Sequence, residues 1–140
     1  MPYSRGMRPR GFPPALRLHH QREFDVVFQE GARAADGLLA VHARRNGGPE
    51  PRLGLAVGKT VGGAVARNRV KRLLREAFRL RRGDLPPGHD LVVVPRPEAA
   101  VEWTLAACEK SLVAVAAKAA ERLAKDGARR GRAAGGSPTA

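Results

Sequence analysis

The sequence predicts an α/β sandwich (α+β), a small mixed sheet with packed helices. Stretches of helical period alternate with apolar runs too short for helices, which reads along the chain as helix, strands, helix, strand, helix. A length of 140 residues suits one domain with one core. No internal repeat suggests a solenoid or array.

Residues 1–15 hold Pro2, Pro9, Pro13, Pro14, Gly6 and Gly11 among Arg5, Arg8 and Arg10, with too little apolar content to offset the entropy of ordering. A disordered basic arm is expected there, followed by one domain over 16–126. In 22–30, Phe24, Val27 and Phe28 fall at i, i+3 and i+4, the spacing of a short helix, and Gly31 is available to end it in a left-handed conformation. Residues 38–43 and 52–57 read as strands, the second alternating Leu53, Leu55 and Val57 with Arg52, Gly54 and Ala56. Asn46-Gly47-Gly48-Pro49 between them reads as a hairpin loop. Residues 64–82 return to helical period. Residues 91–94 form a continuous apolar run between Gly88 and Pro95, as an interior strand does. Thr104 can cap a long last helix with Leu105, Cys108, Leu112, Val115 and Ala119 on one stripe, ending near Gly127. The tail 127–140, with Arg129, Arg130 and Arg132 before a Gly, Ser and Pro cluster, is expected to be disordered and basic. Either tail is solubilising filler or a nonspecific phosphate binder. The expected order is α-β-β-β-α-β-α, the two strands placed above being among the first three.

Charge narrows the function. The 26 Lys and Arg against 13 Asp and Glu leave a net +13, which attracts polyanions and makes nucleic acid the leading partner class. Most of the cations are Arg, whose planar fork suits phosphate and base stacking, although a GC-rich coding bias gives the same skew. The single cysteine, Cys108, excludes an intrachain disulfide and a multi-cysteine metal site and fits a reducing, cytoplasmic setting. No run approaches the roughly 18 apolar residues of a membrane span, and no signal peptide is recognisable, so a soluble protein that is not exported is expected.

The segment from Gly54 to Arg79 carries most information. At roughly 100° per residue, Val70, Leu73, Leu74, Ala77 and Phe78 share one side of the helix. Asn68, Lys71, Arg72, Arg75 and Arg79 share the other, and only Glu76 offsets the cations. Arg67 and Arg69 lie near the helix start, where the macrodipole disfavours cations by a few tenths of a kcal/mol or more. A bound anion reverses that preference, because helix N-terminal N–H groups and clustered arginines together hold phosphate. The competing reading is a solvated charged face. Gly54, Gly58, Gly62 and Gly63 around Lys59 match neither the P-loop nor the dinucleotide fingerprint. They fit a tight strand-to-helix turn that brings Lys59 beside the basic helix start.

This segment resembles the signature of the bacterial ribonuclease P protein family, an Arg-Asn-Arg motif leading into a basic amphipathic helix. Here the motif is Arg67-Asn68-Arg69, preceded by Gly54-Leu55-x-Val57-x-Lys59 and Ala64-Val65, and followed by Val70-Lys71-Arg72-Leu73-Leu74-Arg75-Glu76. The similarity extends to Arg17-Leu18, 24–31, 91–97 and the last helix, leaving out only the tails. It implies a left-handed crossover at the motif helix, against the usual right-handed rule. It also implies that Lys59, Arg67, Asn68, Arg69, Lys71, Arg72, Arg75 and Arg79 bind a catalytic RNA. Arg17, Phe24, Phe28 and His42 then line a cleft for the single-stranded 5′ leader of precursor tRNA. Aromatic rings suit a sequence-tolerant single-strand site because every base has a face to stack. Spacing alone favours Phe24 and Phe28 as core residues that anchor the helix, and the resemblance brings the two readings level. Two departures stand out: Thr60 occupies a position where the family often has a second lysine, and His42 falls at a tyrosine-like position.

The sequence shows no catalytic residues of its own. It has no paired carboxylates in a two-metal motif, no nucleophile with recognisable companions, and no metal-ligand spacing around His19, His20 or His89. The resemblance assigns catalysis and Mg²⁺ to the RNA subunit, and it assigns charge neutralisation and substrate discrimination to the protein. The alternative is a ribosomal or general RNA-binding protein without a role in cleavage. A DNA-reading helix ranks below both, since glycines and a strand precede the basic helix where a partner helix would stand. A self-sufficient protein nuclease ranks last.

Overall fold

The computed structural model describes residues 16–96 and 103–136, with side chains as far as Gly127. The elements are α1 (Gln21–Glu30), β1 (Ala32–Ala35), β2 (Leu39–Arg45), β3 (Arg52–Leu55), α2 (Ala64–Arg81), β4 (His89–Pro95) and α3 (Leu105–Gly136), in the expected order. The arm 1–15 lies outside the described residues.

The sheet order is β1-β2-β4-β3. β1 and β2 are antiparallel, with Ala34 opposite Val41. β2 and β4 are antiparallel, with Val41 opposite Val93, and β3 runs parallel to β4, with Leu53 opposite Leu91. The loop through Asn46-Gly47-Gly48-Pro49 is therefore not a hairpin: it carries the chain past the start of β4, which lies between β2 and β3. Leu91, Val92 and Val93 are apolar in succession and fully buried, a pattern that requires cover on both faces and a central place in the sheet. The loop is fastened where it passes, with Asn46 N–H donating to the Gly88 carbonyl at 2.8 Å. Gly88 has φ +72°, and a Cβ there would meet the Gly48 carbonyl at 2.7 Å.

Side-chain alternation divides the molecule into layers. Leu39, Val41, Ala43, Leu53, Leu91 and Val93 meet Val70, Leu74, Ala77 and Phe78 of α2 and Cys108, Leu112, Val115, Ala116 and Ala119 of α3 in the main core. Val92, with Val94 and Ala56, faces the opposite way toward Leu18, Phe24 and Val27, which seats α1 on the other face. Burial pushes the Cys108 thiol up to about 11, leaving it a small apolar core residue. The outer edge of β3 is covered by a parallel bridge from Arg17 and by Leu18 N–H donating to the Leu53 carbonyl at 2.9 Å.

Both long helices begin as the sequence leads one to expect. Thr104 Oγ1 accepts from Ala107 N–H at 3.1 Å and caps α3. α1 ends differently: Gly31 has φ −88° and ψ 176°, extended rather than left-handed. Glycine is required there by proximity, since a Cβ would sit 2.5 Å from the carbonyl oxygens of both Ala43 and Val27. α3 also runs on to Gly136 instead of stopping near Gly127. Gly127 is exposed with open space around it, and a glycine within a helix costs only about 1 kcal/mol relative to alanine.

Candidate nucleic-acid interface

A 3-10 turn (Lys59–Val61) links β3 to α2, and Gly62 at φ +145° redirects the chain into the helix. Gly63 then occupies the N-cap position, so no side chain caps the first turn, which also contains no acid. The leading amides are left for an outside acceptor. Lys59 is exposed beside them, and Asn68, Arg69, Arg72 and Arg75 are exposed along α2, with Lys71 half-buried.

The cations on this helix are not equivalent. Arg79 makes a bidentate pair with Glu76, one arm being Nε to Oε1 at 2.9 Å and the other Nη2 to Oε2. That bond holds the Glu76 carboxyl below its usual range. Arg69 reaches toward α3, its Nη2 lying 3.4 Å from the Trp103 carbonyl. Arg67 is half-buried, with Nε shielded from solvent and lacking a hydrogen-bond partner. Asn68, Arg72 and Arg75 stay exposed on the basic face.

Lys71 and Arg75 turn toward β3 and form, with Arg17 and His19, the polar rim of a pocket of ≈ 190 Å³ that Phe24 borders and Leu18, Leu53 and Leu55 floor. Partial burial and then the neighbouring Arg17 guanidinium depress the Arg75 pKa, although an arginine stays protonated at physiological pH. The sequence assigns Lys71 and Arg75 to one RNA and Arg17 and Phe24 to another; the fold gathers all four around one opening. Phe24 has two roles. Its ring packs on Gly54, where a Cβ would come within 2.9 Å of it, and its edge borders the pocket.

On the sheet face beside α1, Phe28 and His42 meet edge to face with centroids 4.7 Å apart. Phe28 keeps 39% of its surface exposed. Burial, and then the charge of Arg33, lowers the His42 pKa, which keeps this ring neutral near pH 7. Arg17 and Phe24 therefore lie at the pocket, Phe28 and His42 form a ring pair elsewhere on the sheet face, and α1 carries one phenylalanine to each place.

Sequence reasoning missed the network that fixes α1 against the sheet. Asp90, 4% exposed, accepts from Arg52 Nε at 2.8 Å and Nη2 at 2.9 Å, and from Asn46 Nδ2 at 3.0 Å. Arg52 also pairs with Glu23 at 3.5 Å. Glu23 Oε1 accepts from the N–H groups of His19 and His20, the main cause of its lowered pKa. An acid just before an apolar run was the available signal for Asp90. His19, for which the sequence offers no metal-ligand spacing, borders the pocket. Among the described residues, no three His, Cys, Asp or Glu side chains converge to hold a metal ion.

A helix with a cationic outer face, set beside an aromatic-edged pocket on a small mixed sheet, defines a small α/β protein with a candidate nucleic-acid interface. The family model for ribonuclease P matches residues 12–120. Among similar chains, the ribonuclease P protein component of Brevibacillus brevis is 42% identical over 104 residues, covering 74% of this chain and 82% of that one. That of Thermotoga maritima is 39% identical over 87 residues, covering 62% and 74%. The solved RNase P protein structures of Thermotoga maritima and Staphylococcus aureus superpose with TM-scores of 0.64 and 0.62, at 35% and 28% identity. They cover 69% and 71% of this chain and 91% of each neighbour. The chain belongs to the ribonuclease P protein family.

Proposed function

We propose that this chain acts as the protein subunit of ribonuclease P, the endoribonuclease that removes the 5′ leader from precursor tRNA, and that it works in the cytoplasm. What carries the reading is the pocket where Arg17, Lys71 and Arg75 surround the edge of Phe24. Cations beside a ring give a single strand phosphate contacts on one side and stacking on the other. In this assignment the start of α2, with Lys59, Arg67, Asn68, Arg69 and Arg72, takes the catalytic RNA. Phe28 and His42 extend the leader path along the sheet face, and Lys71 and Arg75 stand where the two RNAs converge.

The RNA subunit supplies the catalysis and holds the Mg²⁺ in this proposal, while the protein lowers repulsion between converging phosphates. Each phosphate the protein neutralises releases condensed counterions, so the complex should need less Mg²⁺ than the RNA alone. A ribosomal or general RNA-binding role is not favoured, since the relatives reported above carry the ribonuclease P name.

The test is cleavage of a precursor tRNA by a bacterial ribonuclease P RNA at low Mg²⁺, with and without the protein and with an Arg67→Ala, Arg69→Ala variant. Strong stimulation that the variant loses is the expected result. Absence of stimulation alongside intact RNA binding would move the assignment to a general RNA-binding role, and an unchanged Mg²⁺ requirement would remove the charge-neutralisation step.

A further inference from the structure

Val65 stands in the first turn of α2 with 84% of its surface open to solvent, against 39% for Phe28 and 40% for Leu80. It belongs to neither apolar cluster. At 100° per residue, Asn68 and Arg72 fall on one flank of Val65 and Arg69 on the other, which centres an isopropyl group on the cationic ridge. A single exposed valine on an ordinary surface needs no explanation. This position, however, opposes local preference twice. A β-branched side chain loses χ1 freedom in a helix, and a first turn favours acids or short polar residues. The turn has no acid and its N-cap is Gly63, so an incoming phosphate would find bare amides at the level of Val65 and guanidinium groups beside it.

We propose that Val65 is an apolar RNA contact: its methyl groups seat against the ribose or base face of the nucleotide whose phosphate is held by Arg69 and Arg72, the cations one and two turns further along the same face. Charge alone would fix the phosphate but would leave the attached nucleoside free to rotate. An apolar wall beside the two cations restricts it to one orientation. The residue thus contributes fit where its neighbours contribute attraction. This inference rests on the RNA-binding reading of α2.

The two contributions separate in a salt titration. Binding of a bacterial ribonuclease P RNA is measured over a range of NaCl concentrations for the parent protein, Val65→Ala, Val65→Thr and Arg72→Ala. Removing two methyl groups that the RNA would cover should weaken binding about three- to tenfold, and the dependence of log affinity on log salt should keep the parent slope because no phosphate contact is lost. Arg72→Ala should make that slope shallower by about 0.7 to 0.9. Val65→Thr keeps the shape and branching while exchanging one methyl for a hydroxyl, and it decides the matter if alanine alters the helix. Parent-like affinity in the Val65 variants, or a changed slope, overturns the proposal. Failure of the parent to bind the RNA, or a parent slope that Arg72→Ala leaves unchanged, overturns the underlying reading instead, so the two failures are distinguishable.

Discussion

At His42 the environment determines the charge. Burial and Arg33 both favour the neutral imidazole, so the folded state takes up a proton less readily than the unfolded chain, whose histidine titrates near 6.5. The resulting stability is fully present above that value and is lost as pH falls from about 6.5 toward the lower folded-state pKa. Urea unfolding at pH 7.5 and 5.5 should show a loss in the parent and a smaller loss in His42→Gln; equal losses would remove His42 as a cause. The two phenylalanines differ in a similarly local way. Phe24→Leu leaves space against Gly54 and should cost roughly 1 to 2 kcal/mol of stability. Phe28→Leu, at an exposed site, should change stability by no more than about 0.5 kcal/mol. If the leader stacks there, Phe28→Leu weakens leader binding without unfolding the protein, as fluorescence titration with a labelled leader oligonucleotide would show.

Among the elements, α2 was the most legible: its expected span of 64–82 nearly matches Ala64–Arg81, because a five-turn amphipathic pattern with Val70, Leu74, Ala77 and Phe78 on one side has few alternatives. β1 could not be placed, since Ala32-Arg33-Ala34-Ala35 is short and lacks the branched and aromatic residues that mark a strand. The neighbour of β3 was also invisible, because a loop rich in Asn and Gly looks the same whether it joins adjacent strands or passes over a third. Of the site, the cationic face followed from helical period alone. The pocket did not, because Arg17, Phe24 and Arg75 are brought together only when β3 lies between their elements. Arg52 illustrates the same limit: read as the outward residue of an alternating strand, it links β3, β4 and α1 through Asp90 and Glu23. Arg52→Met should leave Asp90 without its ionic partner and cost about 2 to 4 kcal/mol. Denaturant unfolding of Arg52→Met, compared with Asp90→Asn and the double variant, would show this as strong non-additivity; simple additivity would refute the coupling.

For the whole molecule, a net charge of +13 works against the compact state. Raising NaCl from about 0.01 M to 0.15 M shortens the screening length from about 30 Å to about 8 Å and should raise the thermal unfolding midpoint. A midpoint that fell would mean that attractive pairs such as Arg81–Glu109 and Arg44–Glu30 outweigh the general repulsion. The sheet order bears on something else, the sequence of events as the chain leaves the ribosome. β1 and β2 can zip together as soon as both have emerged, whereas β3 has only the short bridge from Arg17 until β4 arrives more than thirty residues later. β4 then inserts between two strands already made, completing both ladders in one step. Completion of the sheet is therefore gated by the synthesis of one strand, and a nascent chain halted before His89 has its motif helix segment but lacks the central strand that joins the two halves of the sheet.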